Sequence, residues 1–221
     1  YWSQDIYYQL LNCGLRIPPS AGSASGVLDN PVGYNRVYVH CGATLTYDAW
    51  WEGLRAGRVA VTNGPLLRPL VNGQLPGHVF RAAPGETLEL SIQLNLAVRE
   101  RVDYLEVVQN GQVVQEVRLE EYRHRRGKLP PVTCDASGWL LVRAVTANSQ
   151  TFRFASTGPW YVEVGDQPRI SRQSAQFFLD WVNERAAQLK LADAQQKAEA
   201  MGYLDQARAF WEQRVAAATV E

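Results

Sequence analysis

Tyr104-Leu105-Glu106-Val107-Val108-Gln109-Asn110-Gly111-Gln112-Val113-Val114-Gln115-Glu116-Val117-Arg118 is the stretch whose reading decides the fold. Two β-rich runs flank Asn110-Gly111. A two-residue type I′ turn needs positive φ at both central positions, and Asn and Gly adopt it most readily, so the stretch predicts a tight antiparallel hairpin. On its N-terminal side Leu88, Leu90, Ile92 and Leu94 alternate with Glu89, Ser91, Gln93 and Asn95, the period of a strand with one buried face. On its C-terminal side residues 139–145 and 160–164 are further β-rich runs. Asn63-Gly64-Pro65, Asn72-Gly73, Pro76-Gly77 and Pro84-Gly85 punctuate the region as turns. About seven short strands with no helical period between them predict an antiparallel β-sandwich of immunoglobulin-like size over residues 63–166. The Cys…Trp…Cys pattern of true immunoglobulin domains is missing, so the expectation is one of architecture alone.

Further out the period changes. Beyond Gly165-Asp166 it lengthens to 3.6: Ile170-Ser171 reads as staple and N-cap, and Ala175, Phe178, Trp181, Val182 and Leu189 make one apolar stripe. A second helix is expected from about Asp193, with Ala194, Ala198, Met201, Leu204, Trp211 and Val215 on one side. Such stripes are docking faces. At the other end, residues 5–12 carry helical spacing with Gly14 at a C-cap position, and the small-residue run 20–26 is a loop. Residues 36–40 read as a strand, and residues 46–57 as a helix with Thr46 as N-cap and Gly57 at its end. The expected class is α+β: an α/β segment over residues 1–62, the sandwich over 63–166 and a helical pair over 167–221.

The 221 residues, 46% hydrophobic and 20% charged, suffice for one ordinary core and a second, smaller one. The 22 basic side chains are balanced by 22 acidic ones, so no net field draws the chain to nucleic acid or an anionic membrane, and the basic run 123–128 reads as a solvated loop. No apolar run reaches a membrane span, and no basic-then-apolar leader opens the chain. It begins Tyr1-Trp2-Ser3-Gln4, which reads as an excised portion of a longer product. Cys13, Cys41 and Cys134 show no metal-ligand spacing and read as buried free thiols. His40, His78 and His124 supply no His-x-His or His-Glu-x-x-His pair, so no metal site is expected within the chain. Gly22-Ser23-Ala24-Ser25-Gly26 looks like a serine elbow but lacks the strand before it and the helix after it.

Several segments in order carry a resemblance. Cys13-Gly14-Leu15-Arg16-Ile17-Pro18-Pro19-Ser20-Ala21-Gly22-Ser23 is followed by Gly33-Tyr34-Asn35-Arg36-Val37-Tyr38-Val39. Ala49-Trp50, Leu54-Arg55-Ala56-Gly57-Arg58 and Thr62-Asn63-Gly64-Pro65-Leu66-Leu67 come next. Together they are similar to the end of the carbaryl-hydrolase-like metallohydrolases of the PHP (polymerase and histidinol phosphatase) superfamily, most clearly over residues 10–80. The resemblance implies that residues 1–62 close a distorted β/α barrel. The rest of that barrel would lie upstream in the same protein and hold most of a divalent-metal cluster, the sandwich serving as accessory module. It also implies hydrolysis by a metal-acidified water. The family's last barrel loop often reads Gly-Ser/Thr-Asp, and here Ala24 stands at the carboxylate position; Asp29 is the nearest substitute.

The site expected from this reading is the strand-to-loop edge. Arg36 and His40 are the catalytic candidates, and Ser23, Ser25, Asn35 and Asn63 the substrate-binding ones. Alternatively, Arg36 and Asn63 satisfy buried main-chain groups, and their exposure separates the two cases. A different class of function is a non-catalytic sandwich that binds sugar rings or a partner through Tyr104, Trp139 and Trp160.

Overall fold

The computed structural model describes residues 2–148 and 150–221. In chain order the elements are α1 (Trp2–Asn12), β1 (Arg36–Val39), α2 (Tyr47–Arg55), β2 (Val59–Thr62), β3 (Leu66–Val71) and β4 (Val79–Ala82). Then come β5 (Leu88–Leu90), β6 (Ile92–Ala97), β7 (Val102–Gln109), β8 (Gln112–Arg118), α3 (Leu119–His124) and β9 (Val132–Cys134). Last are β10 (Gly138–Thr146), β11 (Phe154–Thr157), β12 (Trp160–Val164), α4 (Arg172–Gln188) and α5 (Ala194–Ala216). The protein is mixed α and β, with antiparallel sheets and two C-terminal helices. It divides into two compact units: residues 17–167, and residues 1–16 together with 168–221.

The first unit is built on the expected hairpin. Asn110 and Gly111 have φ of 51° and 88°, and β7 pairs antiparallel with β8 across them. β7 also runs along one edge of β10, whose other edge is shared by β12 at its start and β11 at its end. β11 continues into β2 and β1, so an eight-stranded sheet forms. Its one parallel pair, β4 with β12, departs from the all-antiparallel expectation. A parallel neighbour is joined by a long crossover and leaves no local turn signal. The boundary expected at 62/63 falls inside this sheet, because Thr62 of β2 pairs with both Arg36 and Ala155.

Leu88 to Leu94 keeps its single inward face, with Leu90, Ile92 and Leu94 buried, yet it is two strands. β5 pairs β9 and β6 pairs β3. The break is at Ser91, whose N–H donates to Asn72 Oδ1 at 2.8 Å while its carbonyl accepts from Asn72 N at 3.0 Å. Asn72, at φ 44°, thus takes the groups a continuing ladder would use. The small sheets and the large one share a single apolar core, which includes Leu90, Ile92, Leu105, Val107, Leu140 and Trp160. The run 123–128, expected as a solvated loop, begins as the end of α3, with Arg125 Nε donating to Glu121 Oε1 at 2.8 Å one turn back.

In the second unit α1 ends as expected, with Gly14 at φ 75°. A side chain on that glycine would meet Arg169 O at 3.1 Å. Ser171 caps α4 by accepting from Ser174 N, and Asp193 caps α5 by accepting from Gln196 N. Cys13, Ala175 and Phe178 form the centre, with Ile6, Leu10, Trp211 and Val215 against them. The Phe178 and Trp211 rings stack at 4.5 Å and 19°. Of the stripe expected on α5, Ala194 and Ala198 are exposed, so only its C-terminal half reaches this core.

Candidate functional site

β1 and α2 are held close together. A Cβ on Gly53 of α2 would lie 2.6 Å from Val39 Cγ1 and 2.7 Å from His40 O, so only glycine permits this approach. β1 pairs with β2 in the register Arg36 to Thr62, which sets Arg36 beside the turn at Asn63. The loop before β1 is tied down from within. Ser23 Oγ accepts from Asn35 N at 2.9 Å, and Asn35 Nδ2 donates to Gly22 O at 3.1 Å. Tyr34 and Thr151 share a hydroxyl hydrogen bond of 2.9 Å.

The Asn63-Gly64-Pro65 turn is fixed by side chains. Thr62 Oγ1 accepts from Gly64 N at 2.8 Å and donates to Pro65 O at 2.5 Å. Asn63 Nδ2 donates to Phe152 O at 3.1 Å and its Oδ1 accepts from Phe154 N at 2.9 Å. Arg153, between those two residues, lays its stem across Gly64, where an added Cβ would meet Arg153 Cβ at 3.2 Å. Thr146 Oγ1 donates to Arg153 O at 3.2 Å.

These elements surround a cleft of about 440 Å³. Arg36, Tyr38 and Asn63 line it, together with Arg99 and Glu100, just past β6, and Arg153. Arg153 Nη1 pairs with Glu100 Oε1 at 2.8 Å, while the buried Arg153 Nε and Glu100 Oε2 have no hydrogen-bond partner. Arg36 is exposed, whereas both ends of the Asn63 amide are spent on main chain. The two alternatives for this pair therefore divide: Asn63 is a structural clasp and Arg36 is available.

The other candidates do not join them. Ser23 and Asn35 brace the loop behind Arg36 rather than line the cleft. Ser25 is exposed and bridges only Leu28, beside Ala24 at φ 50°. His40, at the other end of β1, borders a separate groove of about 390 Å³ with Arg58 and Leu67, and its Nδ1 accepts from Gly42 N at 3.3 Å. His78 packs edge-on against Phe80 and His124 Nδ1 meets Glu120 O at 2.7 Å, so the three histidines are dispersed. Among the described residues no three His, Cys, Asp or Glu side chains are grouped to hold a metal ion, and no helix is long and apolar enough to cross a membrane.

Burial pushes the Cys13 and Cys134 thiols from the ordinary 9.0 up to about 11, which keeps both protonated at neutral pH and unfit as nucleophiles. The aromatic candidates for ring stacking are also committed. Trp139 and Trp160 are 2% and 0% exposed, and Trp160 Nε1 donates to Gln74 O at 3.0 Å. The Arg118 guanidinium lies 5.5 Å over the Tyr104 ring. A strand with apolar residues on both faces does not declare which face is outward, and here both indoles are buried, Trp160 within the shared apolar core.

Arg99, Glu100 and Arg153 escaped the sequence reading. The charged run Arg99-Glu100-Arg101 after an apolar strand was the one signal present, and nothing local ties it to Arg36. No protein-family profile, curated protein or solved structure matches the chain.

Proposed function

We propose that this chain is the C-terminal part of a metal-dependent hydrolase of the PHP superfamily, similar to the carbaryl-hydrolase-like enzymes. Its upstream barrel carries the metal cluster, and the β unit, residues 17–167, holds an accessory module of immunoglobulin-like sandwich outline. The observation that supports this reading is the meeting of the family-like segments. Ser23 of the first is bonded to Asn35 of the second, and Arg36 of the second lines one cleft with Asn63 of the last. Segments that are apart in sequence and join at one concavity fit a functional edge better than scattered structural motifs do.

Among the described residues no three His, Cys, Asp or Glu side chains are grouped to hold a metal ion. Ala24 offers no carboxylate, and the histidines are dispersed. On this reading the chemistry of the metal belongs to the upstream sequence, and the contribution of this chain is to position: Arg36 presents a guanidinium at the cleft, on a strand fixed by β2 and backed by the braced loop. The test is the longer polypeptide. With its upstream sequence it retains divalent metal and hydrolyses ester, carbamate or phosphoester bonds, activity disappearing on chelation and returning with zinc or manganese, whereas the 221-residue chain alone does neither. Stoichiometric zinc or manganese held by two or more side chains of the 221-residue chain would overturn the reading. So would an upstream sequence without a His-x-His near its start.

A further inference from the structure

We infer that the cleft between Arg36, Arg99 and Arg153 binds a small doubly charged oxyanion group, carried by a phosphate monoester or by a dicarboxylate. Three guanidiniums line this concavity against one carboxylate, Glu100. Glu100 answers only Arg153, at 2.8 Å. Arg36 and Arg99 are exposed and take part in no ion pair among the described residues. Two unneutralised cations facing one cleft hold a positive potential there, and an anion placed between them relieves it.

Recognition falls chiefly to charge, since two of the neutral side chains at the cleft are engaged and, among the described residues, Tyr38 alone offers a free hydroxyl. The Asn63 amide is bonded to Phe152 and Phe154, and the Thr146 hydroxyl donates to Arg153 O. The planar fork of arginine matches the oxygen spacing of phosphate and carboxylate. The walls are fixed in advance: Arg153 lies across Gly64, and Arg36 is held on β1 opposite Thr62. A volume of about 440 Å³ leaves room for the anion to be one end of a larger molecule. As the charged end of a substrate the ligand rests on the hydrolase reading; its binding does not.

The experiment uses the full 221-residue chain, free of metal, titrated calorimetrically with inorganic phosphate and with succinate at constant ionic strength. Saturable binding of at least one of the two is expected, phosphate marking a phosphate ester and succinate a dicarboxylate. Arg36→Gln and Arg99→Gln should each weaken it about tenfold or more with unchanged melting temperature, while Arg125→Gln, on an exposed surface turn, leaves it unaltered. Heats that never saturate with either anion, or an affinity the same in Arg36→Gln and Arg99→Gln as in the parent, would overturn the inference. Absent binding alongside intact metal-dependent hydrolysis by the longer polypeptide sinks this inference alone. Binding without hydrolysis sinks the hydrolase reading alone.

Discussion

Asn63 and Arg36 stand side by side and carry opposite kinds of work. Removing the Asn63 amide takes its hydrogen bonds from the N–H of Phe154 and the carbonyl of Phe152. Asn63→Ala should therefore cost about 1 kcal/mol, a melting temperature lower by roughly 2–4 °C. Arg36→Ala removes an exposed side chain and should stay within about 0.5 kcal/mol of the parent in the same thermal scan. Equal losses from both would return Arg36 to a structural role. The thiols give a second residue-scale test. Since folding raises Cys13 and Cys134 from 9.0 to about 11, their contribution to stability is complete below pH 9 and is lost as pH climbs from about 9 through 11. Melting temperature should fall across that interval. At pH 8 a thiol reagent should label Cys41 quickly and the other two only after unfolding; rapid labelling of all three would contradict the burial.

At the scale of elements, the β7–β8 hairpin depends on a residue that tolerates positive φ. Gly111→Val forces a β-branched side chain to φ 88° and should cost about 1–2 kcal/mol or more, read by denaturant unfolding; a neutral result would mean the turn is not tight. This turn was legible because its chemistry is local, as were the caps at Thr46, Ser171 and Gly14. Partner strands were not. β2 meets β11 and β4 meets β12 far along the chain, and period-2 patterning says which face is buried, not which strand lies alongside. The run Leu88 to Leu94 shows the limit most plainly: its face was readable, while the break at Ser91 was imposed by Asn72 in the turn after β3. The site followed the same rule. Arg36 stood out within its own segment, whereas Arg99 and Arg153 become neighbours of it only through β6 and β11.

For the molecule as a whole, 22 basic and 22 acidic residues cancel, so any preference for an anion must come from local placement rather than net charge. The helical unit is equally a matter of placement, since residues 1–16 belong with 168–221 and everything between belongs to the β unit. Within it Ser171 N donates to Asn12 O at 2.8 Å, and Arg214 Nη1 donates to Cys13 O at 3.2 Å. The polypeptide therefore leaves the helices and re-enters them at adjoining points, which makes the β unit topologically an insertion. Splicing residue 16 to residue 168 through a few glycines should then yield a small soluble three-helix protein, with the circular dichroism of a folded bundle and a cooperative melt, because the shorter closure costs less chain entropy than the natural one. A spliced chain that stays unfolded would mean that the helices depend on the β unit for more than their connection.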